Sequence, residues 1–364
     1  MNIIGIDIFP RNRAITPEEE VNKIDQKVKI DVEPHYQLSV IKMNSNYLES
    51  VDRQFGERGY QSAATLLVLF LLLAGGIALC YQAFLIAGDP GQESDDGFWI
   101  FFAGFGVATF VTILFVGWLS SGELFRLTHY PIRFDRKNKM VHFFTPGGEV
   151  RTAPWQSIFF TLGRYGSQTD IRGHVLGEDQ KTVLETFALS YLTVQTGSSK
   201  PELLMRHWEF IRRYMEEGPQ AVTGQVEFCM PVDGRREGFK SGAERVFAEI
   251  VGAPFSVIPV LYAFGLVHIC ARWLVMRSSK IPRWPEEIEK LCAIEPNDPY
   301  AITADDEGNR IAVYPEAAAA HGVRFVAQPS IGEGNIGVKA PERPGDRPEV
   351  VRGKSSSKKT GKPR

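Results

Sequence analysis

Residues 60–122 read YQSAATLLVLFLLLAGGIALCYQAFLIAGDPGQESDDGFWIFFAGFGVATFVTILFVGWLSSG, and this stretch decides the architecture. It contains most of two runs, residues 59–88 and 97–122, that carry no Asp, Glu, Lys or Arg. An apolar helix needs about 20 residues to cross a hydrocarbon core of roughly 30 Å. Residues 62–88 and 98–121 both meet that length. Aromatic residues bracket each run, Tyr60 and Tyr81 on the first, Trp99 and Trp118 on the second. Trp99 and Trp118 lie about 29 Å apart along a helix, the height between two interfacial belts. A transmembrane helical hairpin (61–121) is the expectation.

The connection, residues 89–96, has four acidic residues and no basic one. Lys42, Arg53 and Arg58 precede the first run; Arg126, Arg133, Arg136, Lys137 and Lys139 follow the second. The positive-inside rule then puts both termini in the cytoplasm and the acidic loop outside a bacterial inner membrane. Ala74/Ala78 and Gly104/Ala108 are small residues four apart, spaced to pack the two helices closely. Neither run contains an ionisable residue for a proton relay or an ion path.

The rest of the composition narrows the function. The chain has 364 residues, 41 Lys+Arg against 43 Asp+Glu, which leaves no bulk positive field for a nucleic-acid partner. Cys80, Cys229, Cys270 and Cys292 are widely separated, with neither disulfide framework nor zinc spacing. The N-terminus, MNIIGIDIFPRNR, lacks the pattern of a cleaved signal, so the first apolar run is expected to direct insertion itself.

Beyond the hairpin, short β-branched and aromatic segments alternate with turn signals: 132–134, 140–144, 149–152, 155–162, 170–175 and 181–189. Residues 35–43 alternate as well and could join the same sheet from before the hairpin. A helix follows, with Ser199, Pro201 and Glu202 as its start signal, Leu204, Trp208, Ile211 and Met215 on one face, and Gly218-Pro219 as its end. The fold class expected is an α+β membrane protein, with an antiparallel β-domain (122–219) closed by an amphipathic helix. That layout is similar to pleckstrin-homology-like domains, a likeness of fold that carries no function by itself.

A third uncharged stretch, 250–271, is interrupted by Pro254 and Pro259 and flanked equally by basic residues, Arg235, Arg236, Lys240 and Arg245 before it and Arg272, Arg277, Lys280 and Arg283 after it. A third span and a buried helix are alternatives. An in-plane or re-entrant helix within 220–300 accommodates both flanks best, with His268, Arg272, Trp273, Arg277 and Trp284 as membrane-interface residues beside Trp99 and Trp118. Residues 1–60 form a cytoplasmic segment with one strand and a short helix. The last segment, 301–364, reads as a short hairpin around residues 305–309 and then a basic, Gly- and Pro-rich disordered tail.

Catalytic signals are sparse. Gly332, Gly334 and Gly337 match a dinucleotide fingerprint as a string but lack the βαβ setting it needs. No phosphate-binding loop, nucleophile elbow or metalloprotease helix is present, and no two of the seven histidines stand at short ligand spacing. Asp170, His174 and Glu185 could meet in a sheet. The reading is of a non-enzymatic protein with no catalytic, cofactor-binding or metal residue assigned.

Residues 31–44 (DVEPHYQLSVIKMN), 208–219 (WEFIRRYMEEGP) and 272–289 (RWLVMRSSKIPRWPEEIE) together resemble an uncharacterised family of proteobacterial membrane proteins carrying a domain of unknown function. The resemblance covers roughly 31–300 and implies a place beside type VI secretion genes. The expected partners are the lipid bilayer and a protein, either a second copy or a secretion-system component. The favoured function is presentation of a cytoplasmic β-domain for protein or membrane-surface interaction. The alternative is a membrane-active effector, accessory or immunity protein of such a system.

Overall fold

The computed structural model describes residues 9–87, 96–120, 122–165, 168–190, 200–226, 229–250 and 256–304. The chain opens with β1 (Arg13–Ala14), α1 (Pro17–Val21) and β2 (Lys23–Ile24). Thr16 caps α1, Pro17 sets its first turn, and the Glu19 carboxylate reaches back to the Thr16 N–H, a reciprocal capping box. β3 (Val40–Met43) and β4 (Tyr47–Ser50) follow, then the long helices α2 (Tyr60–Ala87) and α3 (Asp96–Ser120). After them come β5 (Ile132–Asp135), β6 (Met140–Phe144), β7 (Val150–Pro154), β8 (Ile158–Tyr165), β9 (Gln168–Leu176) and β10 (Thr182–Ala188). The described chain ends with α4 (Lys200–Glu216), α5 (Phe239–Ile250), α6 (Ile258–Ser278), α7 (Glu286–Leu291) and β11 (Ile302–Thr303).

The strands form two antiparallel sheets. One has the order β1-β10-β9-β8-β2 and the other β11-β3-β4-β5-β6-β7. The expected α+β class with antiparallel sheets is therefore present, and each of the six segments read after the hairpin contains a strand. Segment 35–43 is a strand only over Val40–Met43, because Gln37 and Leu38 take left-handed backbone angles, φ 51° and 50°. The N-terminal segment holds four strands where one was expected, and it shares both sheets with the strands after α3.

β4 pairs directly with β5, from Tyr47↔Asp135 to Ser50↔Ile132. Helices α2 and α3 thus lie inside the connection of a single β-hairpin. The core sits between the sheets and under α4, whose Leu204, Trp208, Ile211 and Met215 are all buried. Trp208 stacks on Trp155 at 5.8 Å and meets Phe160 at 4.7 Å. Burying side chains of this size stabilises by about 1.5–3 kcal/mol each. The cap proposed at Ser199, the acidic loop over 89–95, the hairpin at 305–309, the glycines at 332–337 and the basic tail all lie outside the described residues.

Two helical segments among the described residues are long and apolar enough to cross a membrane, Arg53–Leu85 and Ile258–Ser278; the described apolar part of α3, Phe102–Trp118, is shorter. Only 6% of the apolar window in the first is buried, against 33% in the second. Ala74 and Ala78 are exposed, and a Cβ on Gly104 would meet nothing within 4 Å, so these small residues do not make the packing between α2 and α3 as expected. Gly76 faces the Phe105 ring there.

Candidate functional site

The helices join the sheets at one buried polar junction. α2 begins where Glu123, just past α3, accepts the Gly59 N–H at 3.2 Å, the Ser62 N–H at 2.9 Å and the Ser62 hydroxyl at 2.6 Å. A carboxylate at a helix N-terminus satisfies orphan N–H groups and complements the dipole. α6 docks beside this cap. Arg272 Nε donates to Glu237 Oε2 at 2.6 Å and Nη2 to Oε1 at 3.1 Å. Its Nη1 donates to the carbonyls of Phe55, Gly56 and Arg58 at 2.9–3.0 Å. Phe55 lies under this guanidinium at 5.0 Å and under that of Arg245 at 4.9 Å.

Backbone contact is equally close. Gly59 has φ +84°, and a Cβ on it would fall 2.5 Å from Arg272 Cα. Tyr60 packs edge-on against Phe264 at 5.4 Å and His268 at 5.7 Å, and His268 Nε2 lies 3.1 Å from the Arg58 carbonyl. Arg58 itself is 1% exposed, holds its guanidinium over Tyr130 at 5.3 Å, and makes no side-chain hydrogen bond among the described residues. α5 runs antiparallel to α6, with Phe247 stacked on Tyr262 at one end and Glu237 on Arg272 at the other. After α6 the chain returns to the domain, where Lys280 bridges Leu127.

These positions differ from the interfacial ones expected for α6. His268 and Arg272 turn inward, 2% and 1% exposed, because Glu237 and three carbonyls replace the headgroups that the basic face was thought to need. Trp273 and Arg277 do face outward, with the Arg277 guanidinium 5.6 Å over the Trp273 ring. Trp99 and Trp118 are exposed on α3. Trp284 is half-buried on the second sheet, against Phe144 at 4.7 Å, with its Nε1–H donated to Glu49 Oε1 at 3.1 Å. Asp170, His174 and Glu185 have separate partners: Asp170 binds Arg53 and Arg172, His174 lies 3.3 Å from Glu19, and Glu185 pairs with Arg11.

A second cluster, not assigned from the sequence, lies where α7 crosses β5 and β6. Arg133 is fully buried, donates to Glu49 Oε2 at 2.8 and 3.0 Å and to Glu289 Oε1 at 3.0 Å, and lies between the rings of Tyr47 and Trp284. Beside it, Asp135, His142 (the cross-strand partner of Arg133) and Cys292 place one oxygen, one nitrogen and one sulfur within 4.8 Å of one another, all buried. Burial pushes the Cys292 thiol up to about 12, with the Asp135 charge acting in the same direction. Burial also raises Asp135, but the facing His142 and the bonds from Asn138 and Cys292 outweigh it and hold the carboxyl below its usual range. Asp135 ends β5 and His142 lies two residues into its partner strand β6, across a four-residue turn, the one local hint of this group; Cys292 comes from 150 residues further on.

A family model described as a family of unknown function (DUF6708) matches residues 108–296, a range that takes in the second half of α3, β5 to β10, α4 to α7 and, from this cluster, Arg133, Asp135, His142, Trp284, Glu289 and Cys292 but not Tyr47 or Glu49. No curated protein and no solved structure matches the chain.

Proposed function

The chain belongs to the DUF6708 family, and we propose that it is a non-enzymatic membrane protein in which α2 and α3 span the bilayer and hold the two-sheet domain at its surface as an interaction module. The observation that carries this is the outer face of the two helices. Phe70, Leu73 and Ile77 on α2, and Ile100, Val107 and Phe110 on α3, are each more than 60% exposed. Apolar side chains all round a helix, with so little of it covered by protein, match lipid as the surroundings. At about 42 and 37 Å, both helices exceed the hydrocarbon thickness.

The topology supports both ends on one side. The excursion leaves from β4 and returns to β5, its direct partner, so it crosses an even number of times. The α5–α6 pair likewise leaves and rejoins the domain, which favours a re-entrant excursion over a third span. The charge asymmetry of the flanks supports the cytoplasm of an inner membrane as the domain side. A pleckstrin-homology-like layout draws support from the order of β4–β7 in one sheet, β8–β10 in the other, and α4 closing the core. Binding is favoured over catalysis by the separate ion pairs that keep Asp170, His174 and Glu185 apart.

The test is thiol labelling in intact cells, on a background with Cys80→Ala and Cys270→Ala, since both cysteines are exposed. Ser94→Cys should react with a membrane-impermeant reagent from outside, and Ser356→Cys only after lysis. The opposite pattern, or a chain that stays in the soluble fraction, overturns the reading.

A further inference from the structure

We propose that Asp135, His142 and Cys292 form a mononuclear zinc site that fastens the C-terminal segment to the β5–β6 hairpin. Two of the three ligand-atom separations are already close to those of a coordination tetrahedron. His142 Nε2 lies 3.7 Å and Cys292 Sγ 3.6 Å from the same Asp135 oxygen, Oδ2, and the nitrogen and sulfur are within 4.8 Å of each other. Zinc bonds of about 2.0–2.3 Å at tetrahedral angles separate their ligands by about 3.3–3.6 Å. A direct His–Asp hydrogen bond would need the pair several tenths of an ångström closer.

The surroundings orient these groups as a metal requires. Among the described residues His142 Nε2 is buried with no hydrogen-bond partner, in a side chain only 1% exposed. Its other nitrogen, Nδ1, lies 2.8 Å from Thr152 Oγ1. Donating Nδ1–H to that hydroxyl leaves the Nε2 lone pair aimed at the Asp135 oxygen and the Cys292 sulfur. Asn138 donates its backbone N–H to Asp135 Oδ1 at 2.9 Å and its side-chain amide to Oδ2 at 2.7 Å, fixing the carboxylate. Arg133, which acts on Cys292 as well, pairs through Nη2 with Glu49 and Glu289.

The charges close as well. A dication that takes Cys292 as thiolate displaces its proton to solvent, and thiolate plus carboxylate neutralise the ion while imidazole stays neutral. A mixed sulfur, nitrogen and oxygen set selects zinc over magnesium or calcium. Water completes the fourth position. Cys292 caps the C-terminal end of α7, so the ion would join residues far apart in sequence and hold α7, Trp284 and β11 on the sheet. This inference does not depend on the membrane reading.

Full-length protein purified in detergent from zinc-supplemented cells should carry close to one zinc per chain by mass spectrometry. Cys292→Ser and His142→Gln should lower that by about tenfold or more, whereas Cys229→Ser, buried but outside the cluster, should not. A chain carrying Cys80→Ala, Cys229→Ala and Cys270→Ala keeps Cys292 as its only thiol and needs no change at the site. Loaded with cobalt, it should show thiolate-to-cobalt charge transfer and the visible bands of a four-coordinate ion. Wild-type protein without zinc, zinc content indifferent to Cys292→Ser in folded protein, or a cobalt spectrum without the thiolate band overturns the proposal. Should Cys292→Ser fail to fold, the cobalt spectrum decides alone.

Discussion

Arg272 and Glu237 meet through two parallel hydrogen bonds, 2.6 and 3.1 Å, in a place where both side chains are almost wholly shut off from solvent. Thirty-five residues apart, they tie α6 to the segment that precedes α5. Opposite charges in a poorly solvated site hold each other firmly only while both are present. The remaining Arg272 nitrogen ties the same knot to the start of α2 through three carbonyls.

Removing one partner should therefore be severe. Glu237→Gln leaves a buried guanidinium facing carbonyls alone, and Arg272→Ala leaves a buried carboxylate and three unpaired carbonyls. Each should destabilise by about 3–5 kcal/mol. Arg272→Lys should also destabilise, because an ammonium cannot serve the carboxylate and three carbonyls at once. Denaturant unfolding in detergent micelles measures this, and a loss below about 1 kcal/mol for Glu237→Gln would show the pair to be solvated.

Gly59→Ala tests the helix contact itself. Its Cβ would enter a position 2.5 Å from Arg272 Cα and 2.6 Å from Arg272 N, at a φ of +84° that L-residues rarely adopt. Strain and enforced separation of α2 from α6 should together cost about 2–5 kcal/mol. Gly104→Ala, on α3, meets nothing within 4 Å and should stay within about 0.5 kcal/mol of the parent. Equal effects of the two changes on thermal unfolding would mean that α2 and α6 do not touch as described.

Stability should fall in mild acid. Burial pushes the His129 and His207 imidazoles down to about 3, with the Arg58 charge adding to the effect at His129. In the unfolded chain both titrate near 6.5, so below that pH the unfolded state binds the extra protons. The stability of these neutral rings is fully present above about pH 6.5 and is lost as pH falls toward their folded values. At about 1.4 kcal/mol per pH unit for each ring, going from pH 7 to about 5 should remove about 4 kcal/mol through these two rings, to which half-buried His35, held down to about 4, adds about 2 kcal/mol. His207→Phe should remove about 2 kcal/mol of that loss. A denaturation midpoint that stays constant between these pH values would refute the buried, neutral assignment.

What the sequence disclosed follows the range of the interactions. The apolar runs, the strands after α3 and the buried face of α4 depend on periodicity over ten to thirty neighbouring residues, and they are legible. β1, β2 and β11 span two residues each and exist only through pairing with β10, β8 and β3, which no local pattern reports. Residues 35–39 alternate like a strand, yet two left-handed residues redirect the backbone before Val40. Arg272 read as a headgroup ligand because its carboxylate partner stands 35 positions upstream. Likewise, Asp135, His142 and Cys292 show no ligand spacing along the chain, since the fold closes a loop of 157 residues to bring the first and last together.

The sharpest separation of lipid from water around α2 comes from Leu73. It lies near the middle of Tyr60–Ala87 and is 65% exposed. On a water-facing helix, Leu73→Arg removes an exposed apolar group, changes stability by less than about 0.5 kcal/mol and improves solubility. At the centre of a bilayer the same arginine costs about 2.5–3.5 kcal/mol on insertion scales. Val21, 85% exposed at the end of α1 and far in sequence from either long helix, provides the comparison, and Val21→Arg should be neutral in either solvent. The measurement is the fraction of chain that resists alkaline carbonate extraction from membranes. The lipid reading requires that Leu73→Arg shift a large share of the protein out of the pellet or lower its accumulation several-fold, with Val21→Arg unchanged. Indifference of the pelleted fraction to Leu73→Arg would place the exposed face of α2 against water or another protein, and α2 would then not be a span.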